Sequence, residues 1–177
     1  AAAAADDETP PDRAPAALLR EGLASGQVDG LEALARLSSR EELGALLHDR
    51  DMQRPARLSW LLRHGADAES RNADGDTLLF ALLAQGPAGQ PAVATLLARG
   101  VSPAGAGGLA RFMAACAADD QAARVLESSA LDLLERGADP FASSPQGDPA
   151  WSLAVRLGWR RVLDRLLGIG VGRVARD

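Results

Sequence analysis

Lysine and tyrosine are missing from this chain of 177 residues, and cysteine occurs once. All 19 basic residues are therefore arginine. A phosphate-cradling loop of the Walker type needs a Lys-Ser/Thr pair after its glycines. Gly105, Gly107 and Gly108 cluster without one, and no strand pattern precedes them. The single thiol, Cys116, can close no internal disulfide. Its surroundings, FMAACAA, mark it as a small core residue rather than a reactive group. Two histidines, His48 and His64, are too few for an all-histidine metal site. No run of 18 apolar residues is present, so no transmembrane span lies within these residues. Aromatic residues make up only 3%. Leu and Ala carry the apolar content, which suits thin helical layers packed on small side chains. The arginines are scattered among 24 acids for a net charge of −5, a poor footprint for nucleic acid. Their simplest account is a GC-rich coding sequence, hence a bacterial source.

What is present is a recurrence. Gly65, Gly100, Gly137 and Gly170 each close an apolar helical stretch (LSWLLRHG, VATLLARG, LDLLERG, LDRLLGIG), at spacings of 35, 37 and 33. A period of this size is the mark of a solenoid of stacked repeats. Each glycine follows a helix where a left-handed C-cap is required and a Cβ is costly. A second glycine sets the phase, because Gly75 follows Gly65 by ten residues and Gly147 follows Gly137 by ten. The text between is HGADAESRNADGDT in one case and RGADPFASSPQGDP in the other. Gly86 and Gly158 fall where one helix turns into an antiparallel one. Thr77 precedes an apolar run as an N-cap, and Pro149 takes the equivalent place, preset for a first helical turn.

With these motifs the chain resembles the ankyrin repeat family, whose unit is approximately G-A-D, a finger, G-x-T-P-L-H-x-A-A-x-x-G and a second helix ending L-L-x-x-G. The stretch GDPAWSLAVRLGWRRVLDRLLGIG matches without a gap, and the unit from Gly75 carries two extra residues before Gly100. The likeness is good over residues 54–177 and loose over 15–53. It implies an all-α fold, an ankyrin-type helix-turn-helix solenoid of about four helix pairs with short finger loops. Residues 1–14 are expected as a disordered linker or tail, 15–64 as degenerate or capping pairs, and 65–177 as ankyrin-like units. Glu41 and Glu42 sit in a first helical turn where the dipole favours acids, and Pro55 fits another first turn. The third unit has a shortened, flexible finger, VSPAGAGG.

The resemblance also implies a function, a non-catalytic module that grips a partner protein with its finger tips and the outward ends of its first helices. On the first finger those positions are Arg71, Ala73, Asp74 and Asp76, with Ala84 and Gln85 at the helix end. On the last they are Ser143, Pro145, Gln146 and Asp148, with Arg156 and Leu157. Asp74 and Asp76 together favour a basic patch on the partner. The alternative is a structural or regulatory repeat segment of a larger multidomain or membrane-attached protein. No cofactor or metal is expected. Neither Asp119-Asp120 nor Asp6-Asp7-Glu8 forms more than a solvated acidic pair, and no serine or cysteine stands in a nucleophile motif.

Three tryptophans carry separate expectations. Trp60 and Trp151 fall at core leucine positions of the family unit. Trp159, after Gly158, packs across the turn and stays partly exposed, or serves as a contact. His64 precedes a C-cap glycine, a structural or surface place. At the C-terminal side, GVGRVARD lines up with the lead-in to a further unit, the pattern of an excerpt from a longer polypeptide; a true end with a vestigial finger is the alternative. An excerpt leaves the last pair without a neighbour, with Leu153, Leu157, Val162 and Leu166 as its bare side and self-association through that face as the consequence. The alanine-rich start fits a linker or a chain after signal-peptide removal, so the compartment stays open, with the cytoplasm favoured over a periplasmic or secreted place.

Overall fold

The computed structural model describes residues 14–27, 29–105, 107–119 and 124–176. The expected tail at 1–14 lies almost wholly outside them, as does Asp120 of the second acidic pair. Among the described residues there are ten α-helices and no strand, only two isolated bridges. Ten helices make five consecutive pairs rather than about four. The chain divides into two compact units, residues 1–78 and 79–177.

In the first unit, α1 (Pro15–Ser25) and α2 (Leu31–Leu37) form one pair, and α3 (Arg40–Leu47) and α4 (Pro55–Arg63) the next, with a 3-10 turn at Arg50–Met52 between them. Pro15 and Pro55 both open their helices, where a missing N–H costs nothing. Ser39 and Glu42 make a reciprocal capping box at the start of α3, and Glu41 and Glu42 lie in its first turn as expected. Leu19, Leu23, Leu31, Leu43, Leu47, Met52, Leu58 and Leu61 fill the interior. Arg20 of α1 clamps the 3-10 turn, its Nε on Asp49 and its Nη2 at 2.8 Å from Asp51 Oδ2.

The second unit holds α5 (Leu78–Leu83, of which Leu78 belongs to the first unit), α6 (Gln90–Ala98), α7 (Gly108–Ala118), α8 (Arg124–Glu135), α9 (Ala150–Leu157) and α10 (Arg160–Arg176). The two extra residues of the Gly75 repeat are absorbed by a 3-10 turn, Gly86–Gly89, between α5 and α6. Gly86 has φ 60°, and a Cβ there would lie 3.0 Å from that of Ala115. Leu82, Leu96, Leu109, Phe112, Met113, Leu133, Leu153 and Val162 are completely or almost completely buried.

Three of the four repeating glycines do what the spacing requires. Gly65, Gly100 and Gly137 have φ of 106°, 87° and 102°. In each case the next residue's N–H reaches back to the helix, Ala66 to Leu61 at 3.0 Å, Val101 to Leu96 at 3.1 Å and Ala138 to Leu133 at 3.0 Å. These are Schellman closures. Two residues after the glycine a side chain then takes the next turn's N–H: Asp67 from Glu69 (2.9 Å), Ser102 from Ala104 (3.1 Å) and Asp139 from Phe141 (2.9 Å). Gly170 departs from this. It is not left-handed, and α10 runs straight through it to Arg176. The residue two places on is Gly172, which has no side chain to seed the turn, and residues 170–176 are helical where a finger lead-in was expected. Pro149 takes the N-cap place of α9, as expected, with φ −74° and ψ 156° and no side-chain cap.

The tryptophans also differ from expectation. Trp159 is 2% exposed and lies 6.4 Å, centroid to centroid, from Phe112. Trp151 is 57% exposed, because α9 buries the stripe Ala150, Leu153, Ala154 and Leu157 and leaves Trp151 off it. Trp60 is half-buried and stacks on His64 at 3.9 Å. Leu153, Leu157, Val162 and Leu166, expected as a bare face, are core residues, while Trp151, Val155 and Leu167 are exposed. Among the described residues no helix is long and apolar enough to cross a membrane.

Two glycines in nominally equivalent positions should respond oppositely. Gly137→Val forces a β-branched residue into the left-handed region and should cost about 1–3 kcal/mol. Gly170→Ala places a good helix former inside a helix and should stabilise by up to about 1 kcal/mol. Denaturant melts of the two variants check this; a destabilised Gly170→Ala would restore the capping role. The Arg20 clamp has its own signature. Hydrogen bonding from Arg20 holds the Asp49 carboxyl below the usual carboxylate range. A depressed folded value contributes stability above the unfolded pKa of about 3.9 and loses it as pH falls through the folded value. Arg20→Ala should therefore lower stability modestly at neutral pH, since the pair is partly exposed, and that difference should shrink below about pH 4; denaturant melts at the two pH values check it.

Candidate functional site

Two segments fold as the same small hairpin. In residues 66–77 the chain leaves α4, runs out and returns with an antiparallel bridge between Arg71 and Thr77. In residues 138–149 it leaves α8 and returns with a bridge between Ser143 and Pro149. The turn is closed the same way in both. Asn72 N–H donates to Asp76 O (2.9 Å) and Gly75 N–H to Asn72 O (3.0 Å); Ser144 N–H donates to Asp148 O (2.8 Å) and Gly147 N–H to Ser144 O (2.8 Å).

Asn72 and Ser144 are the hinge pins of these fingers, and the spacing of glycines does not reveal them. The Asn72 side-chain oxygen accepts the N–H groups of Asp74 (2.9 Å) and Asp76 (3.0 Å). Ser144, 5% exposed, accepts from Asp148 alone at 3.2 Å. The longer side chain satisfies two donors where the shorter one satisfies one. The first finger is also tied to its own unit: Ser70 packs against Gly44, where a Cβ would lie 3.0 Å away, and His48 Nε2 sits 3.1 Å from Ser70 O.

The finger tips carry the expected contact residues. Ala73 and Asp74 are exposed; Arg71 is exposed but curls onto its own finger, donating to Gly75 O at 2.6 Å. Asp76 is half-buried. Ala84 is exposed and Gln85 half-buried, and both belong to the second unit rather than to the finger's own unit. On the last finger, Ser143, Pro145 and Gln146 are exposed, and Asp148 lies 3.8 Å from exposed Arg156. Leu157 is 9% exposed and belongs to the core, a correction that follows from the α9 stripe already described. The third finger is short, as expected, and folds down: Pro103 is buried, and Gly105 and Gly108 approach the Phe80 ring so closely that a Cβ would meet it at 3.1 and 3.3 Å.

The chemistry-bearing residues are dispersed. Among the described residues no three His, Cys, Asp or Glu side chains come together as a metal site. Burial, reinforced by Asp119, pushes the Cys116 thiol up to about 12, so it is protonated at neutral pH. His64 Nδ1 is 2.7 Å from Trp60 O, an intrahelical contact.

Comparison of the chain with protein-family models gives no match, and comparison with curated proteins gives none either. The functional reading therefore rests on the repeated hairpins themselves.

If Asn72 holds the first finger, Asn72→Ala leaves two turn N–H groups without their acceptor. It should cost about 1–2 kcal/mol. Amide exchange should accelerate at Asp74 and Asp76 but not at Asp148 in the second finger, measured by hydrogen exchange.

Proposed function

We propose that this chain is an ankyrin-type repeat protein and a non-catalytic module that binds a partner protein at its finger tips. The observation that carries the reading is the pair of matched hairpins, each following a Schellman-closed helix and preceding a new one, with identical turn hydrogen bonds. Two backbone hydrogen bonds close each turn, and Asn72 also takes the Asp74 and Asp76 N–H groups, so the exposed tip at Ala73 and Asp74 is ordered without a partner, while Pro145 and Gln146 ride on a turn closed the same way. A pre-ordered tip pays less entropy on binding. The family likeness supplies the kind of ligand, a folded protein, and the acid at the first tip favours a basic surface on it.

Asp74→Arg is the cleanest probe, because it changes an exposed tip while the hairpin uses only that residue's backbone N–H. Wild-type and variant chains, immobilised in parallel, should differ in one captured protein, and its association rate at low salt should fall several-fold for the variant. An unchanged capture profile and on-rate would remove the finger tip from the binding surface.

A further inference from the structure

Among the exposed apolar side chains of the described residues, one group on the last helix pair and one on the first form surfaces of matching shape. On α9, Trp151 and Val155 stand four residues apart and are 57% and 59% exposed. That spacing makes one ridge on a helix face, and exposed Arg156 adjoins it in sequence. A single exposed apolar side chain is ordinary, but a Trp–Val ridge is the kind of patch that marks association. On the first pair, Leu18, Glu21, Gly22 and Ser25 of one α1 face join Gln27 and Leu34 around an open groove of about 420 Å³. Gly22 gives the groove its depth. It lies so close to Leu31 that a Cβ would be 2.5 Å from that side chain, and it contributes no side chain of its own. Leu18 is 39% exposed, and Glu21 is exposed.

Charge selects between the occupants. Residues 150–170 hold four arginines and one acid. Residues 1–78 hold nine arginines and fifteen acids, a net of −6 against +1 for residues 79–177, which together give the chain's −5. Two C-terminal faces repel each other, and so do two N-terminal units; the unlike pair attracts. We propose that copies of this chain associate head to tail, with the Trp151–Val155 ridge of one seated in the α1–α2 groove of the next and Arg156 facing Glu21. The contact is heterologous, so each complex keeps one free face of each kind and adds further copies instead of closing on a two-fold axis. It shares Arg156 with the surroundings of the last finger but uses neither finger tip, so it survives their failure.

Sedimentation velocity on the full chain tests it. At low ionic strength the wild type should sediment faster as concentration rises, and added salt should weaken the effect. Trp151→Glu and Leu18→Glu should each remain monomeric. Mixed in equal amounts they should form a one-to-one dimer and nothing larger, because each brings one intact face. The single variants Glu21→Arg and Arg156→Glu should weaken association, and the double variant should recover it. Melting curves verify that every variant is folded, and Gln146→Ala, a tip change without charge, should leave self-association unchanged. A wild type that is monomeric at all concentrations overturns the proposal and gives the ridge to a different protein. A Leu18→Glu variant that associates like wild type overturns it in favour of paired C-terminal faces. A mixture that stays monomeric overturns the groove as the ridge's seat.

Discussion

Short helices have mostly ends, and satisfying those ends is the constraint on which this structure depends. The helix α5 has six residues, α2 seven and α9 eight. A helix leaves four N–H and four C=O groups without internal partners whatever its length, so in helices this short the orphans equal or outnumber the internal bonds. Isolated helices of this size do not persist in water. Each must borrow partners from the turn that follows it or from the next pair. The Schellman glycines supply the first kind. The second kind comes from long-range side chains. Glu127 of α8, 6% exposed, accepts the N–H groups of Arg161 (2.9 Å) and Val162 (3.3 Å) and thereby caps α10. The same carboxylate takes the Arg161 Nε at 3.1 Å, which balances its buried charge.

Arginine does the corresponding work at C-terminal ends. Arg57 donates to Asp51 O at 2.8 Å and to Ala24 O, in the last turn of α1, at 3.1 Å. Arg136 holds Asp132 at 2.9 Å and reaches Leu97 O, at the end of α6, at 3.0 Å. Arg111 donates to Phe80 O at 3.2 Å and lies 5.8 Å from that ring's centre. Arg57 and Arg136 each serve two acceptors at once, and Arg111 joins one acceptor to a ring face, which a planar guanidinium with five donors permits and a point-like ammonium does poorly. The structure gives several of those arginines a physical use, in tying one helix pair to the next.

Legibility in the sequence follows from the range of the interaction. Gly65, Gly100 and Gly137 were readable because a left-handed cap is a demand on one residue, and the hairpins were readable because ten-residue glycine spacing is local. Gly170 shows the limit. Glycine permits the cap, but Asp67, Ser102 and Asp139 are what turn the chain, and Gly172 cannot. The tryptophans were misplaced by taking each position from the family's unit. The helical period held better information: Ala150, Leu153, Ala154 and Leu157 fall at i, i+3, i+4 and i+7, which leaves Trp151 and Val155 outside. Glu127 was not readable at all, because its partners lie 34 and 35 residues away. Of the twelve expected contact positions, Leu157 fell to the same helical stripe.

The way the ends are satisfied also decides where variation is cheap. A residue whose side chain closes a helix or a turn, such as Asn72, Glu127 or Arg136, is bound by its partners. A residue such as Asp74 or Gln146 sits on a backbone already closed by others, so its side chain answers only to solvent or to a ligand. The two fingers differ in this respect. Asn72 takes two turn donors and Ser144 one, leaving the second tip with less side-chain restraint. A substitution at the first tip therefore acts on a turn whose shape two side-chain bonds fix, and one at the second on a turn that a single side-chain bond holds.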